Sequence, residues 1–343
     1  MTLIKVLRFL LVDSWSVCRV LICHAGMTTG RRIVFYSLLC ETWGVAMRVV
    51  SVSVVIAVKN ERVYVAQALR SVLEQEGVDF EVIVVDDGST DNTYEILEGL
   101  ESNFANLRLV RNPKKGKCSA FNFGVSLSNG RYVCIYAGDD IMPQGSLQAR
   151  FDKISDRAAN AEVVGLCKLI TMSEDKKFDG HLVPKRAGKG GLTGVSYMMS
   201  RPVVEKIFPV PEDLPNEDTW MELAVTHFDS WSLVHSDIVG CQWRVHGGNS
   251  INMQVDFAEY NKKLTPRMAA IALFYKAHGR DLSEASRQSL EHKARCEELR
   301  KKGDVIGILF CNVSFVNRLR AISAANGFFY TLRKKMYGLL SGW

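Results

Sequence analysis

Between residues 49 and 171 the spacing of apolar positions switches repeatedly from one period to another. Residues 49–58 form a β-branched, nearly unbroken apolar run, the pattern of a strand buried on both faces. Over residues 64–75 the apolar Val65, Ala68, Leu69 and Val72 fall at helical spacing instead. The cycle repeats: residues 80–85 predict a second strand, and Asp91 can cap a helix running to about Leu100. Residues 107–110 and 131–136 predict two further strands, with a short helix over 119–127 between them. Such a succession of strand-then-helix units predicts parallel strands joined by right-handed crossovers. The expected fold class is α/β: a mostly parallel, Rossmann-like sheet with helices on both faces and a helical C-terminal extension.

The flanks read differently. In residues 1–46 an apolar run over 3–12 is interrupted by Lys5 and Arg8 and ended by Asp13. That is too short for a membrane span, which takes about 20 apolar residues. No small-residue cleavage site follows it, so a signal peptide is unsupported. Residues 1–46 are therefore expected to lie outside the fold, with Met47 as an alternative start; an amphipathic N-terminal arm is the other reading. Beyond Thr171 the period is irregular. Residues 172–190 read as a mobile, basic, glycine-bearing loop, and Pro209, Pro211 and Pro215 stiffen a loop before a helix starting near Glu217. Residues 231–245 supply short late strands, and from about Val255 the chain reads as helical. The expected main domain is 47–252, followed by a helical, basic region at 253–343.

Composition narrows the function class. With 47% hydrophobic and 23% charged residues over 343 positions, the chain can bury a full core. A mean hydropathy of +0.01 speaks against both a disordered tail and a multispanning membrane protein. The net charge of +6 favours anionic partners: phosphates, nucleic acid or an acidic membrane surface. The nine cysteines include no Cys-x-x-Cys pair, so zinc ribbons and thioredoxin-like chemistry are unsupported. Reduced, packed thiols in the cytoplasm are the expectation, Cys118 included.

Open parallel sheets bind ligands beyond the carboxyl ends of their strands, and acids stand there twice. Asp86-Asp87-Gly88-Ser89 follows the second strand, where carboxylates can accept from base or ribose groups. Asp139-Asp140 follows the fourth, a pair suited to a hard divalent cation held together with phosphate oxygens. Taken singly, each pair is also what a helix cap or a turn requires. Between them, Asn112-Pro113-Lys114-Lys115-Gly116-Lys117-Cys118-Ser119 offers lysines and free amides at a helix N-terminus, which suits a diphosphate. It is not a P-loop, because Asn112 stands where the first glycine belongs and Cys118 replaces Ser or Thr.

The order V-S-V-V-I-A-V-K-N-E, V-V-D-D-G-S-T-D-N-T, K-G-K-C-S-A-F-N-F-G, A-G-D-D resembles glycosyltransferase family 2 on a GT-A fold, over roughly residues 50–249. The resemblance implies a nucleotide-sugar half at 47–142 and an acceptor half at 143–252. It implies nucleotide binding by Ala57, Asn60, Glu61, Asp86, Asp87, Lys117 and Asp139. It implies Mg2+ or Mn2+ at Asp139 and Asp140, with His246 as a further ligand and Arg244 as a phosphate contact. The family's general base, the aspartate of an E-D motif opening a late helix, matches Asp218 in Asn216-Glu217-Asp218, with Glu217 beside it. Read alone, these acids could simply favour a helix N-terminus. Two departures stand out: Ala57-Val58-Lys59-Asn60 replaces the commoner proline-x-tyrosine-asparagine, and Ala137 occupies the place of the first acid of the D-x-D motif.

The implied activity is inverting transfer of a sugar from a nucleotide-diphosphate sugar, UDP-linked by expectation, to an acceptor hydroxyl in polysaccharide or glycolipid synthesis. The acceptor is a lipid-linked or free oligosaccharide. After Asp304 no acidic residue occurs, while Arg318, Arg320, Arg333, Lys334 and Lys335 sit among aromatic and aliphatic residues. Residues 305–343 could therefore lie on an anionic membrane at the cytoplasmic face, or pack on the main domain. No nucleic-acid module is recognisable there, so nucleic acid is not an expected partner. The rival readings are a sugar nucleotidyltransferase, which needs no base at Asp218, and a non-catalytic scaffold, for which Ala137 argues.

Overall fold

A computed structural model describes residues 50–158, 160–246 and 255–335. The expectations for residues 1–46 lie outside it. Strands β1 (Val52–Val58), β2 (Phe80–Asp86), β3 (Leu107–Arg111) and β4 (Tyr132–Ala137) form a parallel block in the order β3-β2-β1-β4. Helices α1 (Val65–Leu73), α2 (Thr93–Glu101) and α3 (Lys117–Leu127) make the crossovers. The sheet then continues with mixed polarity, which the strand-helix pattern did not predict. Strand β7 (Tyr197–Ser200) runs antiparallel to β4 and to β5 (Val163–Met172). The short β6 (Leu182–Val183) hairpins back onto β5, and the long β8 (Ser232–Arg244) pairs with β5 in parallel. Residues 231–245 thus carry one long strand rather than several short ones.

The strand residues alternate between two cores. Val55, Val133 and Ile135 face α3, α5 (Arg201–Ile207), α6 (Asp218–His227) and α7 (Phe257–His278). Val54, Ile56, Cys134 and Tyr136 face α1, α2 and α4 (Ser146–Asp152). Burying each of these Val or Ile side chains contributes about 1.5–3 kcal/mol, which is why the apolar runs are nearly unbroken. Helix α3 lies so close to the sheet that a Cβ on Gly124 would sit 2.4 Å from Val55 Cγ1. Ala270, Ile271 and Phe274 of α7 and Leu290 of α8 (Glu284–Lys302) join the first core, so the C-terminal helices share a core with the sheet. Three short helices follow: α9 (Val305–Leu309), α10 (Phe315–Ala325) and α11 (Gly327–Lys335). Among the described residues, no helix is long and apolar enough to cross a membrane.

Strand β5 escaped the sequence reading because Lys168 interrupts its apolar pattern. That lysine is 1% exposed, and its ammonium donates to the carbonyls of Pro184 at 2.8 Å and Arg186 at 2.7 Å. It also pairs with Asp237 on β8 at 3.2 Å. Part of the 172–190 segment is accordingly tied to the sheet, by the β6 pairing on one side and by Lys168 on the other. The described cysteines are free and buried, and burial pushes the Cys118 thiol up to about 12.

Candidate active site

The register of the parallel block brings the motifs together. Val58 pairs with Asp86, and Ala57 pairs with Ala137, so the segments after β1, β2 and β4 meet at one edge of the sheet. Asn60 sits in the left-handed region at φ 57°, which an Asn side chain tolerates. Its Oδ1 accepts from the Thr90 amide at 2.8 Å, while its own amide donates to Ser89 Oγ at 2.9 Å. Asn60 therefore stitches the β1 and β2 loops together. Asp86 is fully buried and accepts from the Gly88 amide at 3.2 Å and the Ser89 amide, which makes it the former of that turn.

Asp87 reaches further. Its Oδ1 accepts from the Gly116 amide at 2.8 Å and from Asn112 Nδ2 at 2.7 Å, and Lys59 pairs with Oδ2 at 3.3 Å. The basic loop is thereby held against the end of β2. Gly116 carries the φ of 126° that lets the chain turn from this loop into α3.

The acidic pair after β4 divides. Asp139 Oδ2 lies 3.1 Å from His246 Nε2. Asp140 turns inward, 2% exposed, and accepts from the Arg244 amide at 2.8 Å. Arg244 is drawn into the same construction: its Nε donates to the Asp139 carbonyl at 2.8 Å and its Nη2 to Gln67 at 2.9 Å, with the guanidinium over the Tyr64 ring. The β5–β8 pairing is what carries Arg244 and His246 here, since Arg244 stands opposite Met172. Burial, then the charge of Asp139, pushes the Glu61 and Asp140 carboxyls each up to about 7.

Across from these acids lies α6. Lys117 Nζ pairs with Glu217 Oε1 at 3.0 Å. Burial alone would lower the Lys117 ammonium, but Glu217 and Asp218 outweigh it and hold it above the usual lysine range. Burial raises the Glu217 carboxyl, against the pull of Lys117. Asp218, the first residue of α6, accepts from the Gly194 amide at 3.1 Å and from Asn216 Nδ2 at 3.1 Å. Gly194 leaves little room there: a Cβ would lie 2.8 Å from Ile135 Cδ1 and 3.0 Å from Asp218 Oδ1. Lys117 also lies within electrostatic reach of Glu61 and Asp140, so one cation faces acids from β1, β4 and α6.

Sequence reasoning missed Arg267. It projects from α7, 8% exposed, and its guanidinium makes no hydrogen bond or ion pair among the described residues. Asp218 and Glu217 act on it electrostatically, while burial lowers its pKa from the usual arginine range. No local motif marks it; the packing of α7 on α6 brings it in.

Residues 53–180 match the model of glycosyl transferase family 2. The likeness to that family lies in this stretch. It contains the β1, β2 and β4 ends of the site, whereas Asp218, Arg244, His246 and Arg267 lie beyond it. Part of the chain also aligns with curated glycosyltransferases. One is GalNAc(5)-diNAcBac-PP-undecaprenol beta-1,3-glucosyltransferase of Campylobacter jejuni, 28% identical over 140 residues, which are 40% of this chain and 42% of that protein. The chain spans well under half the length of such relatives, from 10% to 42%. Solved structures extend the likeness across the fold. TarS 1-349 of S. aureus in complex with UDP-GlcNAc has a TM-score of 0.54 at 18% identity, covering 85% of this chain and 90% of that one. Mannosyltransferase PcManGT of Pyrobaculum calidifontis, in complex with GDP-Man and Mn2+, has a TM-score of 0.53 at 16% identity, covering 90% and 92%. At these identities the likeness establishes the fold, which is GT-A.

The donor set for a divalent cation at the end of β4 is small. Among the described residues no group of three or more His, Cys, Asp and Glu stands ready for one, and Oδ1 of Asp140 takes the Arg244 amide. Asp139 and His246 offer a carboxylate and an imidazole, next to two further carboxyls whose ionisation is opposed by Asp139. That surplus of negative charge fits Mg2+ or Mn2+ bound through one or two protein ligands, with substrate phosphates completing the shell.

Proposed function

We propose that the chain is an inverting glycosyltransferase that moves a sugar from a nucleotide-diphosphate sugar to an acceptor hydroxyl in polysaccharide or glycolipid synthesis. The observation that carries this reading is the Lys117–Glu217 ion pair, which joins the nucleotide-side loop to the helix that begins with Asp218. The family match of residues 53–180 supports the reaction class. A UDP-linked donor is favoured by the UDP-GlcNAc complex of TarS, with the GDP-Man complex of PcManGT as the competing chemistry. A lipid-linked acceptor is favoured by the undecaprenol diphosphate in the name of the Campylobacter jejuni relative.

In this reading Asp218 accepts the proton of the acceptor hydroxyl as its oxygen attacks the anomeric carbon. The bond from that carbon to the diphosphate oxygen breaks, and the nucleoside diphosphate leaves with the electron pair. With the base on the face opposite the leaving group, configuration inverts. The Gly194 amide and Asn216 hold the Asp218 carboxylate in place. Asp87 shapes the nucleotide pocket by fixing the basic loop, and Asn60 and Asp86 shape it by fixing the turns. Lys117 and Arg267 supply positive charge against phosphate oxygens. Asp139 and His246 would hold Mg2+ or Mn2+, which neutralises charge on the diphosphate.

The test is a panel of nucleotide sugars, each with and without Mn2+, read by thermal shift and then by release of nucleoside diphosphate. A donor that stabilises the protein only with metal and yields diphosphate in the presence of acceptor is the expected result. Release of pyrophosphate would identify a nucleotidyltransferase instead. Absence of any metal-dependent shift from folded protein would favour the scaffold reading, with Ala137 as its reason.

A further inference from the structure

The C-terminal helices carry an unusual surface. Of the twelve large apolar residues that are exposed among those described, seven lie in α9–α11 and an eighth, Phe310, directly after α9. They follow helical spacing. In α9 and the residue after it, Ile306 and Phe310 lie four apart, 72% and 85% exposed, with Leu309 beside them. In α10 the stripe is Phe315, Val316 and Leu319, and in α11 it is Phe328 and Leu332. In α9 and α11 the opposite side is spent on packing: Ile308 shares a small core with Leu299 of α8, and Tyr330 packs against Tyr260 of α7. In α10 the buried Ile322 lies further along the same side as Phe315 and Leu319, so the first turn of that apolar side is left in solvent. A globular helix with one neighbour needs only one such face, and exposed apolar side chains gathered in one part of the chain mark an interaction site where scattered single ones do not.

Charge identifies the partner. No acidic residue occurs after Asp304, while Arg320 and Lys335 are exposed beside the stripes. Two copies of this face brought together would oppose the like charges of Arg320 and Lys335. Apolar side chains flanked by exposed basic ones fit instead the boundary between acyl chains and anionic headgroups. We infer that α9–α11 form a docking surface for an anionic bilayer, with Phe310, Phe315 and Phe328 entering the headgroup layer. The binding stands apart from catalysis; its purpose, bringing the site to a lipid-linked acceptor, rests on the proposed transferase activity.

The full chain is sedimented with phosphatidylcholine vesicles and with vesicles containing phosphatidylglycerol, at low and high salt. The expected result is pelleting that needs phosphatidylglycerol and weakens with salt. The triple variant Phe310→Ser, Phe315→Ser, Phe328→Ser should bind at least about tenfold more weakly, with unchanged melting temperature and unchanged stabilisation by nucleotide sugar. The single variant Phe310→Ser, at the most exposed of the three, should lose part of that binding and serves if the triple variant fails to fold. Equal pelleting of wild type and variants overturns the inference, as does failure of the wild type to bind phosphatidylglycerol vesicles. A dimer by light scattering that the triple variant converts to a monomer also overturns it, in favour of self-association. Nucleotide stabilisation in the same samples reports separately on the transferase reading, so either can fail alone.

Discussion

Lys117 and Glu217 meet at 3.0 Å although a hundred positions separate them in sequence. The lysine opens α3, beside the basic loop, and the glutamate precedes α6. Their contact fixes the distance between the basic loop and the start of α6. Glu217 is 3% exposed at its side chain and its Oε2 has no hydrogen-bond partner, so Lys117 is its main compensation. Lys117→Met should destabilise the protein by about 1–2 kcal/mol, less than for a fully buried pair because the lysine is half exposed. Glu217→Gln removes the charge as well as the need for it and should cost less. Urea denaturation of the two variants checks the order.

Asp139 and His246 are the residues through which metal should act. Asp139→Ala should abolish the Mn2+-dependent part of the thermal shift by nucleotide sugar, and His246→Ala should reduce it. Asp140→Asn should instead keep or raise stability at neutral pH, because the amide retains an oxygen for the Arg244 N–H and removes a charge that burial and Asp139 disfavour. Titrating Mn2+ against each variant at fixed nucleotide separates the two effects. An unchanged metal response in Asp139→Ala would remove it from the ligand set.

Among the described residues Arg267 makes no hydrogen bond that a substitution could break, so Arg267→Met should leave the melting temperature unchanged or raise it. Its effect should fall on substrate. Loss of one charge-assisted contact to phosphate predicts a roughly tenfold to hundredfold rise in KM for the phosphate-bearing substrate, about 1.5–3 kcal/mol. Arg267→Lys should recover part of it. Steady-state kinetics with donor and acceptor varied in turn shows which of the two the guanidinium serves.

Gly194→Ala probes the support of the base. A methyl group there would press on Ile135 and on the Asp218 carboxylate while leaving the nucleotide side untouched. The expected result is a fall in kcat with little change in donor affinity, since displacement of a reacting group by a fraction of an ångström already costs rate.

The parallel half of this fold could be read from the sequence because its strands are buried on both faces and its helices are short and regularly spaced. Residues 49–58 and 80–85 carry few polar interruptions, and the acids that follow them had to lie at one sheet edge. Strand β5 could not be read the same way, because Lys168 breaks its pattern and only tertiary acceptors from Pro184 and Arg186 make that lysine tolerable. Strand β8 looked fragmentary since it mixes Ser232, His235, Asp237 and Gln242 with apolar residues at a half-exposed position in the sheet. The site shows the same division. Asp139, His246 and Asp218 were visible as residue types after strands or at a helix start. That Asp140 faces the Arg244 backbone depends on β8 register, and Arg267 depends on how α7 packs.

The account turns on Asp218 as the base that accepts the acceptor's proton. Asp218→Asn keeps the size of the side chain and a carbonyl oxygen for the Gly194 amide. The decisive measurement compares this variant with wild type for donor binding and for acceptor-dependent release of nucleoside diphosphate in the same preparation. The account predicts unchanged, metal-dependent donor binding and a transfer rate lower by about a hundredfold or more. Transfer at a rate comparable to wild type, with donor binding intact, would contradict it.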